Sequence, residues 1–250
     1  MTPKNSKIKI LTNPKKDWAK DLSVEVRKFL TSKGYKIVKK GADVSICIGG
    51  DGTILFAHHK NRLEGKILGI GSETSFLCQL RNYNWKEKLI STLEKDDTFN
   101  PLSLLCSIPQ LKPSIYTAIN DFVLHSIDYR VVEIMVLVTS PKSPTKKFSF
   151  RGDGLIISTP IGSNAYAYSA GGEKVDPKSQ SIQIVPICPF KRQIGPMIFD
   201  SNVVLEISAK KRCALIKDGI FAKFIERDTP LRINNLGANI IFFSGVGFDE

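Results

Sequence analysis

Residues 44–60 read VSICIGGDGTILFAHHK, and the fold of the N-terminal part turns on how this stretch is read. An apolar, β-branched run, VSICI, stops at Gly49-Gly50-Asp51-Gly52-Thr53 and then becomes apolar again. A short apolar run closed by glycine reads as a buried strand. Thr53, just before ILFAHHK, reads as the N-cap of a helix. A glycine turn from strand into helix presents backbone N–H groups at the positive end of the helix dipole, a ready phosphate site. Asp51 would repel phosphate, so the carboxylate needs a different task. The lysine of a Walker loop is missing, and so is the GxGxxG fingerprint. From spacing alone, a glycine turn with Asp51 as a capping residue stays open.

The pattern continues on both sides. IKILT (8–12) is a short strand, and Trp18, Leu22, Val26, Phe29 and Leu30 recur at helical spacing before Gly34. YKIV and KILGIG read as further strands and NWKEKLISTLEKD as a further helix. From about residue 98 the chain turns to β-branched runs separated by Pro, Ser, Lys and Asp-Gly turns. These include SLLCSI, SIYTAINDFVLHS, RVVEIMVLVTS, KKFSFRGDGLIISTP, QSIQIVPIC, NVVLEISAK, CALIKDG and NIIFF. One helical signal, GSNAYAYSAGG, interrupts them. The expected organisation is an α/β domain over residues 1–97 and a β-rich domain over residues 98–250. The last ~20 residues are left free to pack back on the first domain.

With 250 residues, 42% hydrophobic and 24% charged, the chain reads as globular and cytoplasmic. No apolar run approaches the ~20 residues that span a bilayer, and MTPKNSKIKI has no secretory h-region. Cys47, Cys78, Cys106, Cys188 and Cys213 show no CxxC spacing and read as reduced core thiols. His58, His59 and His125 fit no metal template, and His58-His59 reads as a solvated helix face. The net charge of +12 favours phosphate-bearing small molecules. No aromatic-interleaved basic motif of a nucleic-acid reader accompanies it.

A second constellation, FRGDGLIISTPIGSNAYAYSAGG (150–172), gathers glycines with Ser158, Thr159, Ser163 and Ser169, whose hydroxyls can hold a ligand against a close-fitting loop. Together with TNPKK, GGDGT, AINDFVL, IVPICPF and KDG, in that order along nearly the whole chain, it resembles the NAD kinase family. GGDGT alone is shared by the wider diacylglycerol-kinase-like and phosphofructokinase-like kinases; the 150–172 stretch is the specific part.

The resemblance implies a kinase that transfers a phosphoryl group from ATP or polyphosphate to the 2′-hydroxyl of the adenosine ribose of NAD, giving NADP. It implies a Rossmann-like α/β domain, a sandwich-like β-rich domain and a cleft between them. A divalent cation such as Mg²⁺, chelated by the nucleotide, and a homodimer or homotetramer are also implied; neither a membrane nor a nucleic acid is expected as a partner. Asp51 takes the place of the carboxylate beside the reacting hydroxyl, with Gly49, Gly50, Gly52 and Thr53 around the donor phosphates. Asn120 and Asp121 match an Asn-Glu pair that holds NAD, and Asp153 a carboxylate at the nicotinamide end. Arg151 matches a residue that reaches a neighbouring subunit. Ser163, Asn164, Ala165, Tyr166, Ser169 and Ile187 or Cys188 match the adenine and ribose pocket, and Asp218 a late Asp-Gly element near the reaction centre.

Several positions depart from the pattern. Asp121 is one methylene shorter than the family's Glu, Asn164 replaces a Thr, and GINxGxLGFL has become GIGSETSFLC. The chain also ends soon after NIIFFSGVGFDE, without the family's basic-aromatic tail. These leave two rivals: a sibling kinase with a different acceptor, and a catalytically silent nucleotide-binding module.

Overall fold

The computed structural model describes residues 6–109, 112, 115–237 and 240–245, and it divides into two compact units. One unit runs to Asn100 and takes the chain back from Ile240; the other spans Pro101–Asn239.

The first unit holds β1 (Lys7–Thr12), α1 (Asp17–Ser32), β2 (Lys36–Ile37), β3 (Val44–Ile48), α2 (Asp51–His59), β4 (Lys66–Gly71), β5 (Leu80–Arg81), α3 (Trp85–Lys95) and β6 (Thr98–Phe99). Its strands β1, β2, β3, β4 and β5 pair in parallel, with β3 between β1 and β4. Every residue of β3 is buried, as expected of a strand inside a parallel sheet. Ala19, Leu22, Val26 and Leu30 form the buried stripe of α1, and Gly34, at φ +88°, lets the chain leave that helix.

The second unit contributes β7 (Leu104–Ser107), β8 (Ile115–Ala118), β9 (Asp121–Ser126), β10 (Val132–Ser140), β11 (Ser143–Gly152) and β12 (Gly154–Ser158). There follow α4 (Tyr166–Ser169), β13 (Ser181–Ile187), β14 (Met197–Asp200), β15 (Val204–Ala209), β16 (Cys213–Lys217), β17 (Ile220–Ile225) and β18 (Leu231–Asn235). Two antiparallel six-stranded sheets result, in the orders β11-β10-β15-β18-β7-β8 and β14-β13-β12-β9-β16-β17. Leu104, Ile134, Val136 and Leu205 from the first sheet share one core with Phe122, Leu155, Ile184 and Leu215 from the second. After this unit, β19 (Phe242–Phe243) pairs in parallel with β4 and antiparallel with β6.

Three sequence expectations are corrected. The helix after the glycines begins at Asp51 with Gly50 at the cap, so Thr53 lies inside the first turn and its N–H bonds to the Gly50 carbonyl. Gly49 and Gly50, at φ +138° and +101°, end the strand earlier than side-chain-bearing residues could. The helical signal GSNAYAYSAGG is a 3₁₀ turn over Gly162–Asn164 followed by the single turn of α4. The runs SIYTAINDFVLHS and KKFSFRGDGLIISTP are each two strands. The chain passes from one sheet to the other at Ile119–Asn120 and again at Asp153. Residues 246–250, on which the expectation about the C-terminal tail falls, lie outside the described residues.

Candidate active site

The first unit carries the GGDGT turn. The Gly49 N–H donates to the Ile70 carbonyl and is therefore not available to a phosphate, a correction to its expected role. What Gly49 contributes is the absence of a side chain: a Cβ there would stand 2.6 Å from both Asn13 Cβ and Thr53 Oγ1. Gly52, by contrast, opens onto free space at the helix start, where first-turn N–H groups have no intrahelical partner. The Thr53 hydroxyl is buried and has no hydrogen-bond partner among the described residues.

Asp51 is half-buried, and its carboxylate accepts two backbone bonds, from Phe76 N at 2.8 Å and Leu77 N at 2.9 Å. Burial pushes its pKa above the ordinary carboxylate value; the two amides, the Cys78 thiol and the Arg81 guanidinium pull the other way. With two amides and the Cys78 thiol donating, the carboxylate retains one lone pair for a further donor. A buried carboxylate with a raised pKa and spare acceptor capacity is suited to take a proton from a hydroxyl.

Sequence reasoning marks TNPKK as a motif but gives Lys16 no role. Its Nζ donates to the Gly49 carbonyl at 2.7 Å and lies 3.8 Å from where a Gly50 Cβ would stand. A cation is thereby fixed on the glycine turn, opposite in charge to any phosphate that arrives there. Beside the same helix start lies a cavity of about 680 Å³, lined by Thr12, Asn13, Lys15, Gly52, Thr53, Phe56 and Arg62 among others. That volume lies in the range of small-molecule sites.

In the second unit the register sets Ser158 of β12 against Asp121 of β9, with Lys217 of β16 opposite Phe122. Three strand ends thus bring Ser158-Thr159, Asn120-Asp121 and Lys217-Asp218 together. Asp218 and Gly219, at φ +49° and +75°, form the two-residue turn between β16 and β17. The Asp218 carboxylate folds back and accepts from three consecutive amides: Ile119 N at 3.0 Å, Asn120 N at 2.7 Å and Asp121 N at 3.3 Å. The Asn120 carbonyl is fixed in turn by Thr159 N, at 2.9 Å, and the Ile119 carbonyl by the Thr159 hydroxyl, at 2.7 Å. Gly162 packs on this crossing so tightly that a Cβ would meet the Asn120 carbonyl oxygen at 2.1 Å.

Within this rigid frame Asn120 Oδ1 is buried and has no hydrogen-bond partner among the described residues. A buried acceptor left unpaired in a clamped loop marks a place for a donor from outside the chain. Ser163 is structural: its hydroxyl donates to the Pro160 carbonyl and accepts from Val175 N. Asn164, Ala165, Tyr166 and Ser169 follow on the turn and α4, whose Ala167 packs against Val123, Ile156, Val185 and Ile187. Tyr166 is exposed, and its raised pKa reflects burial first and then Cys188, Asp121 and Asp153. Those residues therefore surround one stretch of sheet.

Asp153 sits at the other end of β12, its N–H on the Ile187 carbonyl and its carbonyl on Ser126 N. Gly152 lets this crossing approach closely, since a Cβ would be 2.8 Å from the Ile187 carbonyl oxygen. Ile187 is buried. Cys188 is exposed at φ +45°, and Lys191 and Arg192 follow, also at positive φ. The exposed Arg151 lies over the Phe190 ring, 5.4 Å from its centroid. The other four cysteines are buried, and His58 and His59 are half-buried rather than fully solvated.

Asp121 is 3% exposed, and burial, with the Asp218 charge second, pushes its pKa up to about 7. A carboxyl that binds its proton more tightly folded than unfolded adds stability that is full below about pH 4 and is lost as pH rises towards 7. Asp121→Asn is therefore expected to remove a fall of a few kcal/mol between those limits. Denaturant melts of both proteins across that range test it, and parallel curves would refute it.

Residues 127–233 match the family model described as the ATP-NAD kinase C-terminal domain. The NAD kinase of Thermococcus gammatolerans is 33% identical over 196 residues, which is 76% of this chain and 69% of that protein. The chain belongs to the NAD kinase family. The NAD kinase of Methanosphaera stadtmanae is likewise 33% identical over 230 residues, 81% of this chain and 76% of that one. Among solved structures, the Archaeoglobus fulgidus NAD kinase in complex with ATP superposes with a TM-score of 0.79 at 22% identity, covering 96% of this chain and 94% of that chain. Yeast NADH kinase complexed with NADH gives 0.85 at 19% identity, covering 98% and 85%. The α/β unit and the antiparallel β-rich unit are thus the NAD kinase fold.

Proposed function

We propose that this chain phosphorylates the adenosine-ribose 2′-hydroxyl of NAD, with ATP or polyphosphate as donor, to give NADP. Family membership supports the reaction class. The observation that carries the assignment of roles is Asp51, a carboxylate with a raised pKa fixed at the start of a helix beside a glycine turn. In this reading Asp51 accepts the ribose proton, the developing alkoxide attacks the terminal phosphorus in line, and the bond from that phosphorus to its bridging oxygen breaks, releasing ADP or the shortened polyphosphate. Lys16 and the open amides about Gly50 and Gly52 neutralise the transferring phosphate. The cavity lined by Asn13, Thr53 and Phe56 takes the rest of a nucleotide donor.

NAD is assigned to the second unit. Asn120 and Asp121 hold the adenosine ribose, with Asn120 Oδ1 receiving the donor it lacks. Asn164, Ala165, Tyr166 and Ser169 line the adenosine, and Asp153 with Ile187–Cys188 takes the nicotinamide end. The steps from Asp153 to Ser158 along extended β12 cover about 17 Å at ~3.4 Å per residue, the scale of an extended dinucleotide.

Among the described residues no group of three His, Cys, Asp or Glu side chains could hold a metal ion. Mg²⁺ is therefore assigned to the donor's phosphates and not to a protein cage. A cytoplasmic homodimer or homotetramer, with exposed Arg151 reaching a neighbouring copy, completes the proposal.

Purified protein with NAD, Mg²⁺ and either ATP or polyphosphate is expected to form NADP, detected with an NADP-specific dehydrogenase. Asn120→Ala is expected to weaken NAD binding about tenfold, the loss of roughly one good hydrogen bond. Binding of NAD with no NADP from either donor would favour the silent module.

A further inference from the structure

Arg81 is buried, 8% exposed, and takes part in none of the ion pairs among the described residues. A buried guanidinium without a carboxylate partner is costly unless other groups solvate it. Here its Nη1 donates to two carbonyls of one turn, Ser75 O at 2.7 Å and Cys78 O at 3.0 Å. Two of the three amides between those carbonyls, Phe76 N and Leu77 N, are the ones that hold Asp51. The Ser75 carbonyl and the Phe76 N–H belong to the same planar peptide. That peptide therefore points its oxygen at the cation and its hydrogen at the carboxylate, polarised from both ends.

We propose that Arg81 is a positioning residue for phosphoryl transfer: through the Ser75–Phe76 peptide it fixes the 75–78 turn, and with it the Asp51 carboxylate, in the orientation that accepts the ribose proton. This rests on Asp51 being the base, as argued above.

The titratable groups that act on Asp51 are the Cys78 thiol on the same turn, with Cys47 behind it, and Arg81 from β5; Lys16 is held at the Gly49 carbonyl of the glycine turn. Burial and the neighbouring carboxylate push the Cys78 thiol well above its ordinary value, so it stays neutral, and Arg81 is the cation that favours ionised Asp51 from this side. Removing it leaves Asp51 harder to ionise, so the acid limb of the rate profile moves to higher pH.

The test compares Arg81→Met and Arg81→Lys with the unaltered protein in NADP formation across the pH range. Arg81→Met is expected to lower kcat roughly ten- to a hundredfold, leave KM for NAD unchanged and shift the acid limb upward. Arg81→Lys keeps the charge but not the fork, and should restore the limb more than the rate. Should the methionine variant not fold, the lysine variant alone reads the split between limb and rate. An unmoved acid limb in Arg81→Met, or an unchanged kcat in Arg81→Lys, would overturn the proposal. If the unaltered protein forms no NADP, the kinase reading fails instead. The carboxyl-carbon NMR titration of Asp51, with and without Arg81→Met, then decides the Arg81 contact: an upward shift supports it, and coincident titrations refute it.

Discussion

Replacing Asp51 with asparagine is expected to lower kcat for NADP formation by ~10²–10⁴-fold, the range supplied by a positioned general base. NAD affinity should change little, because the residues assigned to NAD lie in the second unit. The ribose hydroxyl is a weak nucleophile at neutral pH, and an amide cannot take its proton. The substitution also disturbs the turn, since one carboxamide group presents an NH₂ where Phe76 N or Leu77 N needs an acceptor. Leaving one amide unpaired costs about 1–3 kcal/mol, which a thermal melt would register separately from turnover. Single-turnover NADP formation and calorimetric NAD binding on the same preparation separate the two effects. A variant whose kcat stays within a few-fold of the original would remove Asp51 from the chemistry.

The elements that local pattern specifies are legible in the sequence. VSICI, KILGIG and the stripe through Leu22, Val26 and Leu30 carry their periodicity within a few residues, and the helices and parallel strands follow. The start of α2 differs by three residues from the sequence expectation because the φ values of Gly49 and Gly50, not the capping power of Thr53, decide where the strand ends. The strand breaks at Asn120 and Asp153 are hidden for a different reason. Each is made by partners distant in sequence, Asp218 and Thr159 at one, Ile187 and Ser126 at the other. No window short enough to show strand periodicity contains them. β14, β17 and β18 escape a pattern reading because MIFD, IFAKFI and LRINN are short or carry charge within the run.

The site divides in the same way. Asp51, Asn120 and Asp153 stand in motifs that can be read directly. Lys16 and Arg81 cannot be assigned from sequence, because each acts on backbone carbonyls brought to it by the fold. Asp218 is legible as part of an Asp-Gly turn, which its two positive φ values bear out as a hairpin. Its hold on the 119–121 amides is not, since those partners lie about a hundred residues earlier.

That hold makes Asp218→Ala the most damaging single change expected in the second unit. Alanine removes the common acceptor of three consecutive N–H groups in a buried crossing. An unpaired buried amide costs about 1–3 kcal/mol, so a total of ~3–5 kcal/mol is expected after partial relaxation. Against a usual domain stability of ~5–15 kcal/mol, that is a large fraction. Losing the Asp218 charge also relieves Asp121, so the pH-dependent fall in stability assigned to that carboxyl should shrink in the same variant. NAD affinity should fall with the crossing, because Asn120 is held in place by the amides that Asp218 binds. Asp218→Asn keeps one acceptor oxygen and should fall between the two proteins in both melting temperature and NAD affinity. Denaturant melts at acid and neutral pH, paired with NAD titrations, test the ordering. An alanine variant that melts with the original while losing NAD would place Asp218 on the ligand instead of on the backbone.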